Sequence, residues 1–157
     1  MALLRLAVLA LAACGQAGAQ PSVASGLKPP AGWQALPELA TSVGEATKTD
    51  GVMVDGVEAW GETARGCYAV WFAIHGSGAS AETVLAGLAT EKLATSNVVT
   101  PPSGDGLIAM TFARPHYTGR LRARTADGTI TALACFANER EPLTCEAPCT
   151  TLLGAIP

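Results

Sequence analysis

Eight consecutive residues, Cys67-Tyr-Ala-Val-Trp-Phe-Ala-Ile74, run without a polar interruption. A strand with one wet face alternates apolar and polar residues. An unbroken run of Val, Ile and aromatics instead fits a central strand covered on both faces. The rest of the chain must supply strands to flank it and side chains to cover it.

The flanking segments read accordingly. Trp33, Leu36, Leu39, Ala40, Val43 and Ala46 fall at helical spacing, with Pro37 near the first turn, and predict a helix over 36–48 that Asp50-Gly51 ends. Val52 to Trp60 is strand-like, and Asp55-Gly56 inside it signals either a tight hairpin or a bulge. Thr63 to Gly66 is a turn. Ala81 to Thr95 reads as a helix with Ser80 as N-cap and Glu82 in the first turn. Pro101-Pro102 breaks regular structure between Val99 and Asp105.

Three strands are expected next. Leu107 to Ala113 is apolar. Gly119 to Thr125 alternates, with Leu121 and Ala123 on one side and Arg120, Arg122 and Arg124 on the other. Asp127-Gly128 signals a hairpin into Thr129 to Ala137. Cys145 to Ile156 closes as a short helix with Cys149, Leu152, Leu153 and Ile156 inward. The order α-β-β-α-β-β-β-α predicts an α+β fold. Its mostly antiparallel sheet has about five strands, with the helices packed on one face.

The start of the chain concerns location. Arg5 precedes an apolar run from Leu6 to Ala13. Such a run spans only about 12 Å as a helix, against a bilayer core of about 30 Å, so it reads as the apolar region of a secretory signal. Leu11-Ala12-Ala13-Cys14 resembles the lipobox of bacterial lipoproteins. That resemblance implies cleavage before Cys14, a diacylglyceryl thioether on its sulfur, and a membrane partner held through the lipid. Gly15 after the cysteine then leans toward the outer membrane rather than the inner. Ala17-Gly18-Ala19 offers ordinary signal peptidase a rival cut before Gln20. The expected organisation is a signal region over 1–19, a flexible linker over 20–31 and one α+β domain over 32–157.

Four cysteines follow both cut sites: Cys67, Cys135, Cys145 and Cys149. After export, two disulfides are the default, with three connectivities open. Cys67 and Cys135 lie in strands that could be neighbours, which favours Cys67–Cys135 with Cys145–Cys149 weakly over the crossed pairings. Against that choice, two cysteines four residues apart on a helix match disulfide geometry poorly.

Sharper chemistry finds little purchase. Gly76-Ser77-Gly78-Ala79-Ser80-Ala81 fits Gly-x-Gly-x-x-Ala, but no acidic residue ends a following strand to hold a ribose, so no cofactor is assigned. His75 beside that loop evokes a hydrolase, yet no Gly-x-Ser-x-Gly elbow occurs. With only two histidines and no acidic ligand spacing, no metal is assigned. Cys145-Glu-Ala-Pro-Cys149 is not the Cys-x-x-Cys of oxidoreductases. Trp33, Trp60 and Trp71 could stack on a sugar, though tryptophan is more often core.

Charge supplies the remaining surface feature. The net is −3, which leaves no basic footprint for nucleic acid. Arg114, Arg120, Arg122 and Arg124 nevertheless cluster, opposed by Glu38, Glu45, Asp50, Asp55, Glu58 and Glu62. The arginines could dock an envelope protein or an anionic ligand. Alternatively they form a solvated sheet face, cross-paired with Glu58 or Glu62. The expectation is an exported, lipid-anchored accessory or binding protein of the outer membrane or periplasm. A small exported hydrolase or thiol redox enzyme is the alternative.

Overall fold

The computed structural model describes residues 23–48, 52–76, 95–100, 107–114, 116–138, 140 and 142–156, with backbone alone at 76, 95–100, 108 and 114. The signal region with Cys14, most of the helix expected over 81–95, the Gly/Ser loop and Pro101-Pro102 lie outside these residues.

The described elements are β1 (Gln34–Ala35), α1 (Pro37–Thr47), β2 (Val52–Glu62), β3 (Cys67–Gly76), β4 (Thr95–Thr100), β5 (Leu107–Arg114), β6 (Tyr117–Ala126), β7 (Thr129–Asn138) and α2 (Glu146–Gly154), with 3-10 turns at Thr63–Arg65 and Pro142–Cys145. The strands form one antiparallel sheet in the order β1-β2-β3-β7-β6-β5-β4. The α+β class and antiparallel sheet match the expectation; two further strands appear. β1 is a two-residue edge. β4 takes residues expected as a helix end and a proline-broken stretch. Its Thr-Ser-Asn-Val-Val-Thr sequence is rich in β-branched residues and ends where Pro101 begins, which suits the edge strand it forms against β5.

β3 sits between β2 and β7, as its apolar run requires. Its even residues Val70, Phe72 and Ile74 bury against Ile130 and Ala132 of β7, Leu121 and Ala123 of β6, and Leu39, Ala40 and Val43 of α1. Its odd residues Ala69, Trp71 and Ala73 bury with Leu133, Trp33, Trp60 and the α2 residues Cys149, Leu152 and Leu153. So α1 and α2 cover opposite faces, not one. The reason is in β3 and β7 themselves. Both are apolar on both sides, and burial returns roughly 25 cal/mol per Å² only if each face is covered. All three tryptophans are buried in the α2-side core, which removes them as sugar platforms.

Asp55-Gly56 makes a bulge within β2, at the register shift between Val54 and Gly56. Asp127 and Gly128 take φ of 51° and 76°, the left-handed pair that a two-residue hairpin needs. Part of the expected linker is tied to the sheet. Val23 N donates to Asp55 O at 2.8 Å, Ser25 N donates to the Glu58 carboxylate at 2.9 Å, and Leu27 packs on the α2-side core. This segment satisfies the Asp55 carbonyl of β2, beyond the reach of β1. Gly56 permits it, because a Cβ there would strike the Val23 carbonyl. Gly56→Ala should detach residues 23–25 and raise protease cleavage in that segment several-fold. An unchanged digestion rate would show that the segment does not depend on this contact.

Candidate functional site

The cysteines pair as Cys67–Cys145 and Cys135–Cys149, with Cα–Cα distances of 5.5 and 5.6 Å. This corrects the expected Cys67–Cys135 and Cys145–Cys149. The strands are indeed neighbours, but Cys67 faces Ala137 and Cys135 faces Ala69. The two cysteines are therefore diagonal on the sheet, where Cα atoms stand roughly 7–8 Å apart, too far for a bridge. Each points at α2 instead. Cys145 caps that helix and Cys149 lies one turn on, so the helix reaches both strands at once. All four sulfurs are bonded, and the four residues are buried.

The arginines resolve into two sets. Arg120, Arg122 and Arg124 face Cys135, Leu133 and Thr131 of β7, so they share the α2 side of the sheet. Arg114 faces Tyr117, a position of the opposite parity. Two of the three hold α2 in place. Arg120 reaches Glu146 at 3.1 Å and Thr150 Oγ1 at 3.0 Å, and Arg122 Nη1 donates to the Leu153 carbonyl at 3.1 Å. Neither pairs with Glu58 or Glu62: Glu58 accepts from Ser25, and Glu62 lies 3.4 Å from Arg65. A guanidinium on the last carbonyls of a helix complements its dipole. Arg122→Gln should therefore cost about 1 kcal/mol or less, seen as faster amide exchange at Ala155 and Ile156. Unchanged exchange there would mean the contact holds nothing.

The other face carries a feature that sequence reasoning missed. At one level of the sheet, the cross-strand partners run Gly61, Tyr68, Phe136, Gly119, Phe112, across β2, β3, β7, β6 and β5. The rings of Tyr68 and Phe136 stack with centroids 5.4 Å apart and planes 22° apart. Tyr117 stands edge-on to both, at 5.8 Å and 87° from Phe136 and 5.9 Å and 80° from Tyr68. The glycines make room. A Cβ on Gly61 would come 2.9 Å from Leu36 Cδ1 and 3.0 Å from Tyr68 Cδ1. A Cβ on Gly119 would come 2.5 Å from Phe112 Cζ and 2.7 Å from Phe136 Cβ. Glycine in a strand interior marks such close approach, the only signal of the row legible beforehand.

The three rings floor an open groove of about 480 Å³. The first turn of α1 forms its wall, through Leu36, Leu39 and the exposed residue Glu38. That helix start is fixed by Leu36 N, which donates to Ala59 O at 2.8 Å, and by Pro37 at its first position. Tyr68, Tyr117 and Phe136 are each half-buried. A concave, mostly apolar hollow with a few polar groups is the usual form of a small-molecule site.

One further pair is polar. The bulge turns Asp55 toward His75, whose Nδ1 lies 2.7 Å from the carboxylate. Among the described residues no group of three or more His, Cys, Asp and Glu could hold a metal, and no helix is long and apolar enough to cross a membrane.

Comparison with protein-family models and with curated proteins finds no match to this chain. The class of protein is therefore defined by the fold itself: a two-cystine α+β domain whose central antiparallel sheet is layered by a helix on either face.

Proposed function

We propose that this chain is an exported cell-envelope protein, tethered by a lipid on Cys14 at the outer membrane or in the periplasm, that binds rather than catalyses. One observation carries the binding half of this reading. Cys67 and Cys135 are clamped to α2 on one face of the sheet, and their chain neighbours Tyr68 and Phe136 floor the groove on the other. Bracing a floor from behind holds its rings in place before a ligand arrives, which lowers the ordering cost of binding. The export half rests on the lipobox and on two buried cystines, which suit an oxidising compartment.

Intact mass of the mature protein from washed membranes tests the location. The expected molecule begins at Cys14, carries acyl chains and lacks four thiol hydrogens. A protein recovered from cytosol at full translated mass, with its thiols free, overturns it. The arginine strip is the lesser surface, because Arg120 and Arg122 are engaged with α2 and only Arg124 continues beyond them.

A second reading, a small exported hydrolase, is favoured by the Asp55–His75 contact, which orients an imidazole as a general base requires. Ester hydrolysis by the purified protein that disappears in His75→Ala would establish it; equal rates for the two proteins would dismiss it. A thiol enzyme has less support, since all four cysteines of the domain are bonded and buried.

A further inference from the structure

From the chemistry of the groove we infer its ligand class: an organic cation of low hydration, with a quaternary ammonium head as the fitting case. The inference rests on the binding reading above and adds what is bound. Three features favour it. The groove is lined by three mutually packed aromatic rings, Tyr68 and Phe136 stacked near-parallel and Tyr117 perpendicular to them. Ring faces carry the negative lobe of the aromatic quadrupole, so they attract a cation that gives up its water easily.

The fixed charge at the rim has the matching sign. Glu38, an exposed acidic residue in the first turn of α1, lines the same hollow. Among the described residues no lysine or arginine lines it. The hollow is also poor in hydrogen-bonding groups: among the described residues, Glu38, Thr63, Tyr68 and Tyr117 are those with polar side chains. A sugar needs donors and acceptors around its ring, since each polar group left unpaired costs free energy. A methylated ammonium has no donor to satisfy. It gains from rings and one carboxylate alone, and about 480 Å³ leaves room for the head and a short tail.

The glycine pair gives the arrangement its rigidity. Gly61 and Gly119 bracket Tyr68 and Phe136 across the sheet, so neither ring is pushed off the row by a neighbouring side chain.

The experiment titrates the folded, disulfide-bonded protein with choline, tetramethylammonium, the neutral isostere 3,3-dimethylbutan-1-ol and methyl glucoside. It follows the ring resonances of Tyr68, Tyr117 and Phe136 by NMR. The two cations should move these resonances and bind about tenfold or more tightly than the neutral isostere. Tyr117→Leu, which keeps apolar volume but removes the ring, should weaken choline about tenfold, while the disulfides and the unfolding midpoint confirm that the variant is folded. Glu38→Gln, on the surface, should weaken it by about threefold. If the isostere or the glucoside binds as well as choline, the cation assignment is wrong and the groove remains a binding site. If none of the four probes moves the ring resonances, the groove itself is not a binding site and both readings fall.

Discussion

Replacing Cys67 and Cys145 together by alanine should lower the stability of the domain by about 4–5 kcal/mol, and replacing Cys135 and Cys149 by about 3 kcal/mol. The ranking follows from the loops they close. The first bridge spans 78 residues of sequence and the second 14, and a longer loop loses more freedom in the unfolded chain when it is closed. Marginal stability is only about 5–15 kcal/mol, so the first variant should be largely unfolded or strongly shifted in its denaturant midpoint. The second should remain folded but weaker. Chemical denaturation of both variants beside the parent measures the difference. Equal losses would mean that loop closure is not how these bridges act; a larger loss from the shorter loop would mean that local clamping of α2 dominates. The same clamp lies directly behind the groove floor, through the bonds from Cys67 to Tyr68 and from Cys135 to Phe136 in sequence. The weaker variant should therefore also show broadened ring resonances for Tyr68 and Phe136.

Gly119→Ala should cost about 1–3 kcal/mol, the typical loss for overpacking a filled interior. The added methyl meets three obstacles. Phe112 Cζ at 2.5 Å is the far end of a side chain and can turn away. The Cys135 carbonyl at 2.7 Å is backbone of the central strand, and Phe136 Cβ at 2.7 Å is the root of its ring. Those two move only if β7 shifts against β6. The expected result is a lower thermal midpoint together with a changed near-ultraviolet dichroism of the stacked rings. A glycine in the middle of a strand ordinarily weakens it, so alanine there would raise stability in the absence of such contacts. A gain in the thermal midpoint would therefore dismiss the crowded row as a feature of the folded state. The sign of this one substitution distinguishes a close-packed aromatic row from a loosely occupied surface.

Much of the architecture was legible in residue order. The unbroken Cys67–Ile74 run placed β3 inside the sheet, the 36–48 periodicity placed α1 to within a residue of its observed ends, and Asp127-Gly128 placed the last hairpin. These signals are local: periodicity, turn chemistry and helix starts act over a few residues. β4 was missed because its six residues are polar enough for an edge and run directly into a proline. The side taken by each helix was missed for another reason. A strand that is apolar on both faces says that two layers exist, but not which helix forms each.

The sequence by itself determined that this chain is built on an antiparallel sheet with a doubly buried centre, and that four of its cysteines belong to that domain. It determined too that Arg120, Arg122 and Arg124 share a face, because strand parity is a property of neighbours along the chain. Tertiary structure alone decided which cysteines meet, what the arginines hold and where the aromatic rings converge. Those outcomes depend on register, the alignment of Cys67 with Ala137 and of Tyr68 with Phe136. Register is set by the sum of all pairings across the sheet, and a slip of one residue would have sent every one of these side chains to the opposite face.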